Sequence, residues 1–174
     1  MDNYFDFMVL AEERFSVRSF TDEPVLPDTL GRILRAGNLA PTACNLQPQR
    51  IYVLEKEESL QKLKRCTPCH FNAPLAILVC ANMDECWVRP FDGQLSGWVD
   101  ATIVATHMML QAAAEGIGCT WVMHFDPEAA AEEFQLAENT VPVALLIMGY
   151  PAADAIPAPG HLYKRPIQET VIRL

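Results

Sequence analysis

At 174 residues, of which 51% are hydrophobic and 20% charged, the chain is sized for one domain of the usual ~100–200 residues and can bury a substantial core, which excludes a disordered polymer. A formal net charge of -9 argues against a general nucleic-acid binder, which needs an extended basic face. Any anion this protein holds must be met by cations placed locally.

The opening run MDNYFDFMVLAEERF has two aspartates before any apolar stretch and no basic leader, so no secretory signal is expected and the expected compartment is the cytoplasm. A first helix is predicted from about 4 to 13, where Phe5, Met8, Val9 and Glu12 give a mixed helical period. RFSVRSF reads as extended backbone, which puts Arg14, Ser16 and Arg18 on one face and Phe15, Val17 and Ser19 on the other. Two guanidinium forks flanking a hydroxyl suit a planar or tetrahedral anion. For an isolated R-x-S-x-R, a charged edge strand facing water is the ordinary reading.

Pro24 and Pro27 punctuate a turn, and PDTLGRILRAGNLAP carries Leu30, Ile33 and Leu34 at helical spacing, ending at Gly37-Asn38. The β-branched and aromatic run 49–55 predicts a strand, 57–66 a short amphipathic helix, and 73–82 a second strand. Residues 83–98 are polar, aromatic and turn-rich, and read as a loop or lid. The apolar segment 99–116 carries Asp100, His107, Gln111 and Glu115 and falls short of the ~20 clean apolar residues of a membrane span. It reads as a helix over 99–115 buried on nearly all sides, at a domain centre or a subunit interface. CTWVMHFD (119–126) predicts a third strand. DPEAAAEEFQL (126–136) has a capping Asp126, Pro127 at the first helical position and acids in the first turn. The apolar run 141–151 suits a central strand, and HLYKRPIQETVIRL (161–174) supplies a basic pair and a final short strand. The sum is a single α+β or α/β domain over 1–174, with strands separated by helices and no internal repeat or linker.

Six cysteines without a signal read as free thiols. CTPCH (66–70) matches haem-attachment and dithiol patterns, and Cys66, Cys69 and His70 joined by Cys80 or Cys86 offer a zinc reading. Two ordinary cysteines after a helix is the favoured reading, and no metal is expected. No G-x-G-x-x-G, P-loop, G-x-S-x-G or H-E-x-x-H motif is present, so the standard dinucleotide, nucleotide triphosphatase, serine hydrolase and zinc protease classes lose support. His107 reads as a core residue, and His124, after a strand, faces either the core or a ligand. APTACNLQPQ (40–49) puts Asn45, Gln47 and small hydroxyl residues in a loop before a strand, a placement that presents amides to a ligand. Lys164 and Arg165 add a second cationic pair.

Taken in order, RFSVRSF, APTACNLQPQ, the apolar helix ending AAAEGIG, LIMGYP and KRPIQETV resemble the nitroreductase family over nearly the whole chain. The resemblance implies a three-layer α+β fold with a mixed, mainly antiparallel sheet flanked by helices, and flavin mononucleotide (FMN) at a homodimer interface. It implies Arg14 and Ser16, with Phe15 beside them, at the cofactor phosphate, Arg18 at the ribityl chain or pyrimidine edge as an electrostatic tuner, and Lys164 and Arg165 near the phosphate. It implies that Pro41, Thr42, Ala43, Asn45 and Gln47 contact the flavin from the partner subunit. Backbone N–H groups near Met123 and His124 would approach flavin N5. Family members often carry a small residue there, a glycine at Cys44 and an aromatic at Gln49, so these departures touch the pocket's shape. The implied activity is hydride transfer from NADH or NADPH through the flavin to a small electron-poor acceptor such as a nitroaromatic or quinone, with no obligatory catalytic side chain. A flavin-sequestering protein, a carrier using Cys66-Cys69 and a reductive dehalogenase are the alternatives. Trp87, Arg89, Phe91 and Trp98 are candidate substrate-stacking residues.

Overall fold

The computed structural model of the protein describes residues 6–174, so positions 4 and 5 of the expected first helix lie outside the described residues. Four antiparallel strands run in the order β1 (Gln49–Leu54), β2 (Leu75–Asn82), β4 (Thr140–Gly149), β3 (Gly118–Val122). The two central strands, β2 and β4, are apolar almost throughout because both their faces are covered.

Alternation along them separates two cores. Leu75, Ile77, Val79 and Ala81, with Leu146 and Met148, pack under α2 (Pro27–Asn38) and α4 (Gly97–Ala114). Ala76, Leu78 and Cys80, with Leu145 and Ile147, pack under α3 (Glu57–Cys66) and α5 (Pro127–Glu133). The expected three layers follow from this period of two. Pro142 sits inside buried β4, although it has no N–H to give. The register shifts there, with Val79 opposite Ala144 but Cys80 opposite Pro142, and such a bulge is where a sheet tolerates proline. Asp126 caps α5 as predicted, its carboxylate accepting from the N–H groups of Glu128 and Ala129.

Within one chain α4 buries one face, Ala101, Val104, Ala105, Met108 and Ala112, while Trp98 is 48% and Val99 54% exposed. Two expectations are corrected. The third strand stops at Val122, because Asp126 turns into the next helix and its N–H bonds the Cys66 carbonyl at 2.8 Å. The final segment forms a one-turn helix α6 (Ile167–Thr170) and then unpaired extended chain, not a strand, since no sheet edge among the described residues receives it. The first helix, α1 (Phe7–Glu13), is capped by the Asp6 side chain.

Candidate functional site

The chain leaves α1 at Arg14 in extended conformation, touches the outer edge of β3 at Ser16 and Val17, and then pairs through residues 19–21 with residues 150–152 beyond the end of β4. Ser16 bridges Cys119 in parallel, the Val17 N–H donates to the Cys119 carbonyl at 3.2 Å, and Thr21 N–H reaches the Tyr150 carbonyl at 2.9 Å. Val17 is buried at 3% exposure against Gly118, whereas Arg14 and Ser16 are half-buried and Arg18 is exposed. Val17 is the buried member of the segment, and the bridge of Phe20 to Pro151, just past the Gly149 that pairs with Gly118, keeps the run at the Gly118 end of β3. The Ser16–Cys119 bridge is the parallel component of an otherwise antiparallel sheet.

The cations of this row are held without carboxylates. Arg32, Arg50, Lys62, Arg65 and Arg89 each pair with an acid, but among the described residues Arg14, Arg18, Lys164 and Arg165 do not, and neither do the exposed Arg35, Lys56, Lys64 and Arg173. Arg18 instead donates to the Ser16 carbonyl at 3.0 Å. The Phe15 ring meets His161 edge-on with centroids 6.2 Å apart, and Lys164 Nζ donates to the His161 carbonyl at 2.5 Å. The Phe15–His161 contact brings the 161–165 segment to the Arg14 end of the row. Burial pushes the Cys119 thiol up to about 12, with nearby Arg14 acting in the opposite sense. A cleft of about 190 Å³ opens here between Leu10, Arg14, Val17, Ala113 and Cys119.

Met123 and His124 follow β3 and are exposed, and their N–H groups have no acceptor among the described residues. The segment is fixed from below by Thr67, a residue not expected at the site. Its buried hydroxyl donates to the His124 carbonyl at 2.6 Å and accepts from Cys69 N–H at 3.0 Å. Cys69 Sγ lies 3.9 Å from His124 Nδ1. In the CTPCH run, the buried Cys66 closes α3 with its thiol on the Lys62 carbonyl, and burial raises that thiol above its ordinary value. Both cysteines are free thiols. The run fastens 123–126 to the end of α3. His107 Nδ1–H donates along its own helix to the Ile103 carbonyl at 3.0 Å.

The loop Pro41–Gln47 is built tightly around a 3₁₀ turn, Ala43–Asn45. Cys44, Asn45 and Gln47 all have positive φ (51°, 54° and 52°), a cost for residues with a Cβ. The anchor is Asp100, 2% exposed, whose oxygens accept from Ala43 N–H at 2.8 Å and from the Ser96 hydroxyl at 2.6 Å. A lone carboxylate in an apolar helix was the sequence signal for it. Replacing Asp100 by Asn places an amide donor against one of these donors. The variant is expected to lose about 1 kcal/mol, read as a Tm lower by roughly 2–4 °C for a domain of this size; an unchanged Tm would show that the loop does not depend on this anchor.

Within one chain the loop and the row do not meet. Ala43 hangs from Asp100 near the start of α4, while Arg14 shares its cleft with Ala113 at the helix's other end. At 1.5 Å per residue these points lie about 20 Å apart along the axis.

The nitroreductase family model matches residues 11–68 and 67–150. A solved nitroreductase family protein from Clostridium difficile 630 is 38% identical and superposes with a TM-score of 0.91, covering 97% of this chain and 98% of that one. A protein of Archaeoglobus fulgidus named for NADH dehydrogenase or NAD(P)H nitroreductase activity is 31% identical over 146 residues, 79% of this chain and 81% of its own. An FMN reductase [NAD(P)H] of Bacillus subtilis is 26% identical over 155 residues, covering 79% of this chain and 62% of that protein. Sequence, fold and the order of the site segments thus agree, and the chain belongs to the nitroreductase family.

Proposed function

We propose that the protein is an FMN-dependent oxidoreductase that takes hydride from NADH or NADPH and passes two electrons to a small electron-poor acceptor, a nitroaromatic or quinone, in a ping-pong cycle. The observation that carries this reading is the Arg14-Ser16-Arg18 segment, beside the start of β3, whose arginines have no carboxylate partner among the described residues of a protein with net charge -9. Such cations fit a phosphate monoester, which carries about -1.5 to -2 at neutral pH. Arg14 and Ser16, with Lys164 and Arg165, would hold the phosphate, and Phe15 would back it. Arg18 would place positive charge toward the pyrimidine edge, and the unbonded N–H groups of Met123 and His124 would face the flavin ring. When bound, FMN accepts hydride at N5 and supplies the electron chemistry. The protein's part is to bind, orient and tune charge, so no side-chain acid or base is assigned.

The cycle is assigned to a homodimer. The roughly 20 Å between loop and row is bridged if Pro41, Thr42, Ala43, Asn45 and Gln47 serve the flavin of a second copy. The half-open face of α4, with Val99, and the tail, with Leu162 at 86% and Ile172 at 84% exposure, leave apolar surface for that copy to cover. Among the described residues no helix is long and apolar enough to cross a membrane.

Steady-state rates with NADH varied at several fixed concentrations of a quinone test the reading. Parallel double-reciprocal lines are expected. Flavin binding without sustained turnover would favour the sequestering alternative instead.

A further inference from the structure

All six cysteines are free thiols, and Cys66, Cys80, Cys86 and Cys119 are buried. Burial pushes the Cys80 thiol up to about 12. Cys66 donates its S–H to the Lys62 carbonyl, and Cys86, just before a hairpin closed by the Val88–Leu95 bridge, donates its own to the Met83 carbonyl at 3.2 Å. Two thiols are left within reach of a reagent. Cys44 is exposed, on the tight loop after α2, and has no side-chain partner among the described residues. Cys69 is half-buried and has one.

That partner is His124. The Cys69 sulfur lies 3.9 Å from Nδ1, and no other side chain among the described residues bonds this imidazole, whose residue is exposed. One buried hydroxyl holds both backbones. Thr67 accepts from the Cys69 N–H and donates to the His124 carbonyl, so thiol and ring are brought together across 55 positions of sequence. The Asp126 N–H on the Cys66 carbonyl, at 2.8 Å, closes the same contact from its other side. A nucleophile, a base beside it and a third group that fixes their relation is how proteins activate a weak nucleophile. With the ring's own proton on Nε2, Nδ1 can accept from the thiol.

We propose that Cys69 is a covalent modification site that captures quinones and related α,β-unsaturated carbonyl compounds, with His124 as its base. Nδ1 takes the thiol proton as the sulfur bonds to a ring carbon β to a carbonyl. The C=C pair moves onto the carbonyl oxygen, which receives that proton from the imidazolium. The hydrogen on the newly bonded carbon then leaves as a proton for the second oxygen, giving a hydroquinone thioether. Thiol and quinone supply every atom. The addition is redox-neutral overall, since the two oxygens end as hydroxyls while the carbon that exchanges hydrogen for sulfur is oxidised. The CTPCH run, unused in the proposed flavin cycle, thereby supplies the nucleophile and, through Thr67, its alignment. Neither FMN nor a nicotinamide takes part, so the site stands independently of the proposed function.

The test treats the FMN-supplemented protein with limiting p-benzoquinone and no nicotinamide, so that no turnover consumes the quinone. Adducts are assigned to individual cysteines by peptide mass spectrometry at early times. Exposure alone would put Cys44 first. The expected order is the reverse, with Cys69 labelled several-fold faster than Cys44. His124→Gln is expected to slow labelling of Cys69 by about tenfold, less than the ~10²–10⁴ of a fully aligned base, and to leave Cys44 unchanged. Cys44 labelled faster than Cys69 in the wild type, or a Cys69 rate unmoved in folded His124→Gln, would overturn the assignment. The wild-type order decides the matter if the variant does not fold.

Discussion

Replacing Arg14 by alanine is expected to weaken FMN binding by about one to two orders of magnitude while leaving riboflavin binding nearly unchanged. Hydrogen bonds to charged groups contribute about 1.5–3 kcal/mol each, which is a factor of about 10–150 in Kd. The difference between the two ligands is the phosphate alone, so the comparison isolates the charge that Arg14 meets. Arg14 suits this measurement because it is half-buried at the edge of the core and pairs with no acid among the described residues. Its loss therefore leaves no stranded carboxylate to confuse the result. Fluorescence-quenching titrations with FMN and with riboflavin give both constants. If the two affinities fall by the same factor, the phosphate is bound elsewhere.

Gly118→Ala is expected to lower stability by about 2–3 kcal/mol, near the top of the usual overpacking range, and to weaken FMN binding at the same time. A Cβ built at 118 lies 2.9 Å from three carbons of Val17, closer than real contacts come. Val17 is the buried residue of the segment that carries Ser16 and Arg18, and its N–H is bonded to the next residue's carbonyl, that of Cys119. Whatever lifts Val17 moves the anion row. The expected Tm loss is roughly 4–12 °C for a domain of this size. The double variant Val17→Ala/Gly118→Ala should lose less than the sum of its parts, since the two positions are in direct contact. Strict additivity in thermal unfolding would mean that the Val17–Gly118 contact does not hold the row in place.

Much of this architecture is legible in the sequence because single elements carry it. Asp126 followed by Pro127 states the start of α5 without help from the rest of the chain. The continuous apolar runs at 75–82 and 140–149 announce strands covered on both faces. The alternation in RFSVRSF predicts Phe15, Val17 and Ser19 on the face opposite Arg14, Ser16 and Arg18, and of these the structure buries Val17 while Phe15 and Ser19 stay half-buried. What was not legible depends on partners distant in sequence. Thr67 supports the 123–124 segment only because the end of α3 meets the end of β3, a contact across 57 positions. Asp100 was visible as an interruption of an apolar helix, but not as the anchor of Ala43, also 57 positions away. The tail misled because VIRL has a strand's composition, while a strand also needs a pairing partner, and among the described residues it pairs with none. The hairpin inside 83–98 was hidden because its order comes from Arg89 reaching Asp92 and Gln94, not from apolar periodicity.

The central claim is that the row around Arg14 holds a flavin that a reduced nicotinamide can reduce. The most direct test is the visible absorption spectrum of the purified protein supplemented with FMN, desalted, then treated anaerobically with NADH and separately with NADPH. The account predicts retained bands near roughly 370 and 450 nm, a general property of oxidised flavin, at about one FMN per chain, and their bleaching by at least one of the two nicotinamides. A protein that emerges colourless from desalting, or one whose bands persist through both additions, would contradict it.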